Sequence, residues 1–574
     1  MSASAGASRN PVRRAAAATA TRLPWLVDAY RFARNPRWEL DLRRDLQATR
    51  DNAAFLRALP APAADAPAVL VGLYRDNIYE TKLGLVLASA LRLEGMRPIV
   101  AMPTNRAHRI RRYAKAFGVD QVIAYDSLTL TKAERNEIER VGDALLSGAI
   151  DFDTLKTWSY RGYAIGNHVL SSLIRVTFDG SPDLALGRNV DILRSITDDV
   201  LTNVVRYEHL FDDISPALVL VEEANYSVNG PLVDVAVARD VDVIQTIGIW
   251  REDALMSKRL TRATRRVDAK SVSEATLELV AASPWTPADD AALDQDFDDR
   301  YGGQWTLGAQ FQPNTEAATD EEIVAETGVD PTKPTAVIFA HVLWDASLFF
   351  GVDLFENYAD WLVQSVRSAI ANPELNWVIK AHPSNVFRTK HGDVGGESSE
   401  VTLVHEHFPE LPPHVHLLLP HTKISTLSLY RFADYAVTVR GTPGMEIACF
   451  GKPAITAGTG TYAGRGFTFD SQSTDEFLER LAKLHTYGPL PEAMRAKARE
   501  YAHTLFLRRP WLTKSFELVF DFAEEGWHPI DRNVRFTVKS VDELRARGDL
   551  AEWAQWARGS DDFDFLTEHA RVTG

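Results

Sequence analysis

His382-Pro383 closes the run WVIKAH, with Lys380 two residues earlier. The run is apolar and strand-like, so His382 stands at a strand's carboxyl end, where ligands bind in open α/β sheets. Proline fixes its own φ and biases the preceding residue toward extended backbone. An imidazole there can donate to a phosphate, and a neighbouring ammonium adds charge; a surface loop histidine is the plainer alternative. A second cluster is Gly441-Thr442-Pro443-Gly444-Met445-Glu446. It reads as a tight turn opening a helix, whose unpaired N–H groups suit a phosphate, with Glu446 able to accept from a ribose. The helix dipole alone also favours a first-turn glutamate. A third is Gly458, Gly460 and Gly464 with Arg465, glycines for close backbone approach and an arginine to clamp an anion. In the first half of the chain, Arg75, Asp76 and Asn77 follow one apolar run, and Glu222, Glu223 and Tyr226 follow another. Carboxylates at strand ends are candidates for base or nucleophile work, though acids also gather at helix starts for dipole reasons. His341, Trp344 and Asp345 end a further strand.

Those positions need two sheets. Strands are expected at 68–73, 97–102, 121–125, 217–221 and 241–246, with helices between, and again at 335–341, 377–381, 415–418, 435–439 and 454–456. Strands alternating with helices indicate parallel α/β units, and their continuous apolar character indicates both faces covered. The architecture expected is two doubly wound domains facing a cleft. Residues 1–64 are expected to be a disordered leader and helical extension, 65–282 the first domain, 283–330 an acidic linker and 331–490 the second domain. Residues 491–574 are expected to be helices packing back on the first.

At 574 residues the chain exceeds a single core. Its net charge of −15 argues against a nucleic-acid binder. The lone cysteine, Cys449, allows no intrachain disulfide framework and reads as a small core residue. No run reaches the roughly 18 apolar residues of a membrane span, and no signal-peptide core precedes the first helix. The chain is therefore expected in the cytoplasm or at the inner face of the membrane. P-loop, HExxH, CxxC and GxSxG patterns are absent, and no GxGxxG follows the first strand. Asp151-Phe152-Asp153 and Asp296-Phe297-Asp298-Asp299 are read as solvated acids, and no metal is expected.

WVIKAHPSN, ADYAVTVRGTPGMEIACFGKPAITAG and TYAGRGFTFD together resemble the bacterial capsule polysaccharide biosynthesis proteins, glycosyltransferase-like and related to capsule Kdo transferases. The likeness covers roughly 335–490. It implies a GT-B fold, two Rossmann-like domains with helical extensions. The second would bind a nucleotide-sugar donor of CMP or UDP type through His382, Pro383, Lys380, Gly441, Thr442, Gly444, Glu446, Gly458, Gly460 and Arg465. The first would take a polysaccharide or glycolipid acceptor beside Arg75, Asn77 and Tyr226, with Glu222, Glu223 or Asp76 as the catalytic carboxylate. No separate cofactor is implied, and membrane association would be peripheral. A CDP-polyol glycerophosphotransferase, a sugar-nucleotide epimerase and an inactive nucleotide-binding scaffold are the alternatives on the same fold.

Overall fold

The computed structural model describes residues 24–75, 77–148, 150–305, 316–344, 348–383, 398–522 and 528–572. The first domain is built on β1 (Ala68–Gly72), β2 (Arg97–Met102), β3 (Val122–Ala124), β4 (Leu218–Val221), β5 (Asp242–Gly248) and β6 (Ala254–Leu260). The second is built on β7 (Thr335–Phe339), β8 (Asn376–Lys380), β9 (Val415–Leu418), β10 (Tyr435–Thr438), β11 (Ala454–Thr456) and β12 (Phe469–Asp470). β13 (Trp511–Leu512), β14 (Phe516–Phe520) and β15 (Arg532–Phe536) follow.

The first sheet runs β13-β6-β5-β4-β1-β2-β3, parallel from β5 to β3 with β6 and β13 antiparallel at one edge. The second runs β12-β11-β10-β7-β8-β9, parallel throughout. In each the chain winds outward from its first strand and then returns to the other side of it. The strand order therefore reverses between β1 and β4, and again between β7 and β10. Those two switch points are where the crevices of doubly wound sheets form. The chain thus has the GT-B arrangement of two Rossmann-like domains.

Each sheet is covered on both faces, which is why its central strands carry no polar alternation. Val69 and Val71 of β1 pack under the helix Ile78–Leu93, while Leu70 packs with Tyr207 and Val233 on the other face. Ala336 and Ile338 of β7 meet Trp361 and Leu362; Val337 and Phe339 meet Tyr430 and Met445. Cys449 is buried in that last cluster.

Several segments differ from expectation. The stretch 283–330 carries the helices Pro287–Tyr301 and Asp320–Thr327, whose Leu293, Phe297 and Ile323 are buried against the second domain. Asp296 is not solvated: it is 6% exposed and holds Arg300 at 2.7 Å. Asp151 caps a short helix by accepting from the Thr154 N–H. The tail is not all helix: β13 extends the first sheet beyond β6, and the β14–β15 hairpin lies against Ile78–Leu93. Trp553 of the tail donates to Ser257 Oγ at 3.0 Å, anchoring the helix Asp549–Gly559 on β6.

Candidate functional site

At the β1/β4 switch point Arg75 gathers three carboxylates. Its guanidinium lies 3.2 Å from Glu223, 3.5 Å from Glu222 and 3.9 Å from Glu80. Arg75 leaves β1 and both Glu222 and Glu223 leave β4, so adjacent parallel strands deliver them to one edge. Glu80 arrives from the first turn of Ile78–Leu93. Asn77 caps that helix by accepting from the Tyr79 N–H at 3.0 Å, so its side chain serves the helix start. Asp76 lies outside the described residues.

The three acids differ in environment. Glu80 is 2% exposed; Oε1 accepts from the Tyr74 N–H at 3.4 Å, and Oε2 has no hydrogen bond among the described residues. Burial, opposed by Arg75 and reinforced by the charge of Glu222, pushes its carboxyl up to about 7. Burial also raises Glu222, whose side chain keeps 26% exposure. Glu223 spends one oxygen on the Asn225 N–H at 2.9 Å and the other on Arg75. A crevice with room for about one water runs between β1, β4 and the helix, lined by Glu80, Glu222 and Thr246.

The loop after β4 is braced from below. Arg265 donates to Asn225 Oδ1 at 3.2 Å, to the Ala224 carbonyl at 3.0 Å and to Asp234 at 2.6 Å. Burial works against the Asp234 charge, but Arg265 and His168 hold its carboxyl down to about 2. Tyr226 sits at φ 65°, in the left-handed region a tyrosine rarely adopts. Its hydroxyl accepts from Arg175 at 2.8 Å, and the same guanidinium lies 4.9 Å from its ring.

In the second domain the switch point holds His341. Its Nε2 accepts from the Val439 N–H at 3.2 Å and lies 3.0 Å from Thr438 Oγ, which accepts from the Gly441 N–H. Burial, with His382 and Arg440 nearby, pushes the imidazole down to about 3, so it stays neutral and ties β7 to the turn after β10. One strand over, Lys380 is 3% exposed, and burial pulls its ammonium down to about 8. It has no anionic partner among the described residues. His382 is half-buried, with its backbone N–H donating to buried Glu400 at 2.9 Å; Pro383 is buried beside it. Gly441 and Thr442 form the turn after β10, half-buried and exposed respectively.

Five residues expected to contact the donor have other work. Glu446, expected to face a ribose, is fully buried; its oxygens are taken by Arg300, at 3.1 Å, and by Tyr301. Gly444 is buried, and a Cβ there would lie 2.3 Å from the Tyr462 hydroxyl that bonds the Gly441 carbonyl. Gly458 and Gly460 are needed for packing: a Cβ on either would meet the Val352 or Arg440 backbone at about 3 Å, 3.0 Å in each case. Arg465 pairs with Glu274 and donates to the Val272 carbonyl at 3.2 Å, joining the two domains rather than facing an anion.

The carboxyl edges of the two sheets face each other. The segment after β7 reaches across: Phe349 lies 5.0 Å from Tyr226 and 5.6 Å from His168, and Trp344 lies 5.0 Å from Phe178. Lys156 donates to the Glu356 carbonyl at 2.7 Å. One wall therefore offers a titratable carboxyl pair, and the other offers an ammonium without an anionic partner among the described residues, beside backbone turns. That combination suits proton removal from a hydroxyl opposite an anionic leaving group.

Sequence reasoning missed Glu80, Arg300, Glu400 and the Asp234–Arg265 brace. Glu80 is a first-turn glutamate like many others; only its place five residues beyond Arg75 marked it.

Neither a family model nor a curated protein matches the sequence. Among solved structures, the chain is similar to a UDP-GlcNAc 2-epimerase from Neisseria meningitidis bound to UDP-GlcNAc. Identity is 11% over 76% of this chain and 97% of that one, with a TM-score of 0.26. It is similar to a β-Kdo 2,7-transferase from Thermosulfurimonas dismutans at 16% identity, over 61% of this chain and 89% of that one, TM-score 0.29. A spinosyn rhamnosyltransferase shares 12% identity over 76% and 95% of the two chains, TM-score 0.25. At scores this low none of these likenesses bears on what the site does.

Proposed function

We propose that the chain is a glycosyltransferase of the GT-B type that moves a sugar from a nucleotide-sugar donor to a hydroxyl of a surface polysaccharide or glycolipid. The observation that supports this most is the Glu80–Glu222 pair around Arg75 at one switch point, opposite the Lys380 ammonium near the other. Glu222, the more exposed of the pair, takes the acceptor proton as the new bond to the anomeric carbon forms. Glu80 is a positioning residue that holds Arg75, and its buried carboxyl is raised alongside that of Glu222. The bond from the anomeric carbon to the donor phosphate breaks, and the leaving nucleotide's charge is met by Lys380 and by His382. The capsule-type acceptor and a cytoplasmic setting rest on the sequence resemblance.

A thermal-shift screen against CMP, CDP, UDP and GDP tests the donor side. A nucleotide at about 100 Kd stabilises by roughly 2.7 kcal/mol. Lys380→Met is expected to weaken the binding nucleotide by about 10- to 100-fold, the range of a charge-assisted hydrogen bond. No stabilisation by any of the four sinks the proposal. Transfer of the phosphate-bearing half of a donor would make the protein a phosphotransferase, and binding without turnover would make it a scaffold.

A further inference from the structure

Most exposed large apolar side chains of the described chain are scattered: Val176, Leu186, Val267, Val352, Leu512 and Phe563. Four others fall within one short stretch, Tyr30 at 63%, Phe32 at 37%, Trp38 at 37% and Leu40 at 42% exposure. They lie on the helices Pro24–Arg34 and Pro36–Asn52, where the chain bends at Asn35. Exposed aromatic and aliphatic side chains gathered at one bend of the chain, rather than scattered singly, mark a candidate interaction site.

The charges around it have one sign. Between Ala29 and Arg44 the exposed charged side chains are Arg34, Arg37, Arg43 and Arg44. The acids of the stretch are engaged: Glu39 pairs with Arg109 at 2.9 Å, and Asp41 lies 3.2 Å from His528 and 3.0 Å from the exposed Arg44. Arg43 stands 5.4 Å from the Phe32 ring centre, and Arg34 donates to the Tyr30 hydroxyl at 3.5 Å. The 23 residues before Pro24 add four arginines and no acid, in a chain whose net charge is −15. Arginine beside tyrosine, tryptophan and phenylalanine matches the headgroup boundary of a bilayer, where the cation meets phosphate and the ring enters the acyl margin.

Its position adds to this. Arg31 donates to the Asn105 carbonyl, just beyond the carboxyl end of β2, and Trp38 stands edge-on to His528 at 5.5 Å. Four residues on, Arg532 acts electrostatically on Glu222. The patch therefore borders the edge that carries the carboxylates.

We propose that the two helices Pro24–Arg34 and Pro36–Asn52 form an interfacial anchor that seats the first domain on an anionic lipid bilayer. The anchor goes beyond the transfer reading and stands on these side chains alone. If sugar transfer also holds, it brings a lipid-linked acceptor to the carboxylate edge.

Flotation of the full chain with vesicles tests it. The protein is expected to float with mixed phosphatidylcholine–phosphatidylglycerol vesicles, to stay behind with phosphatidylcholine alone, and to be released by salt. Each surface arginine contributes about fivefold to partitioning, so Arg34→Glu/Arg37→Glu/Arg44→Glu is expected to weaken binding by roughly a hundredfold or more. Tyr30→Ser/Leu40→Ser should weaken it while keeping the salt dependence. All these side chains are exposed, and unchanged circular dichroism and melting would show that the variants fold. Wild-type protein that does not float with the mixed vesicles, or variants that float like wild type, would overturn the anchor. So would a concentration-dependent dimer abolished by Tyr30→Ser/Leu40→Ser without flotation, which would give the face to a second copy. Nucleotide stabilisation of the same preparations reports on the cleft independently.

Discussion

Glu80 and Glu222 make the site legible as chemistry, because a carboxyl in an apolar crevice keeps its proton to a higher pH than water allows. Glu80 reaches about 7 from an ordinary 4.5. Between those values the unfolded chain has lost the proton that the native state keeps, so native stability falls as pH rises through that window and levels off above about 7. Glu80→Gln removes this slope. The variant should gain on wild type progressively from pH ~4.5 to ~7, by up to about 3 kcal/mol at 1.36 kcal/mol per pKa unit, read by denaturant melts at several pH values. A constant difference across the window would mean that Glu80 is ionised in the native protein throughout. On activity the roles separate. Glu222→Gln is expected to lower kcat by about 100-fold or more, the range of a lost general base, with nucleotide affinity unchanged. Glu80→Gln should leave a larger residual rate. Equal losses in both would move the base to Glu80.

Individual elements show why some of this could be read from sequence and some could not. β1, β4, β7 and β10 were readable because both faces of a central parallel strand are covered and the apolar run is unbroken. The loops that follow them were readable for the same reason: strand order places function at carboxyl ends. The hairpin β14–β15 was not, because its burial depends on Ile78–Leu93, more than four hundred residues earlier in the chain. Glu446 misled for a related reason. Locally it is a glutamate in a short helix after a turn, and only Arg300, 146 positions away, fixes it in the core. That ion pair joins the helix Pro287–Tyr301 to Thr442–Ala448, with Arg300 also 3.8 Å from the Phe506 ring centre. Glu446→Ala would leave the guanidinium buried with Asp296 as its remaining carboxylate. Breaking a buried pair on one side costs about 3–5 kcal/mol, measurable by chemical denaturation. If Glu446 instead served a ribose, the same substitution would cost nucleotide affinity with little loss of stability.

For the whole molecule, the question is what holds the two domains edge to edge beyond the core they share, in which Ile249, Ala254 and Met256 pack with Val337 and Tyr430. Three kinds of contact do so. Arg465 ties the loop after β11 to Val272 and Glu274. The tail crosses back to pair β13 with β6. The segment after β7 inserts Trp344 and Phe349 into the wall of the first domain. The first two lie away from the switch points, whereas Phe349 packs on Tyr226 and His168, directly beside Glu222 and Glu223. It therefore sets how the carboxyl edges of the two sheets meet. Phe349→Ala removes a buried ring, at about 3–5 kcal/mol for that class of substitution. It leaves Lys380 and the Gly441 turn untouched. The expected outcome is a lower melting temperature with the nucleotide-induced stabilisation preserved, together with a fall in kcat because the two walls lose their register. Should nucleotide binding fall in parallel with turnover, Phe349 would belong to the donor site itself, and the approach of the domains would have to be set by Arg465 and the tail.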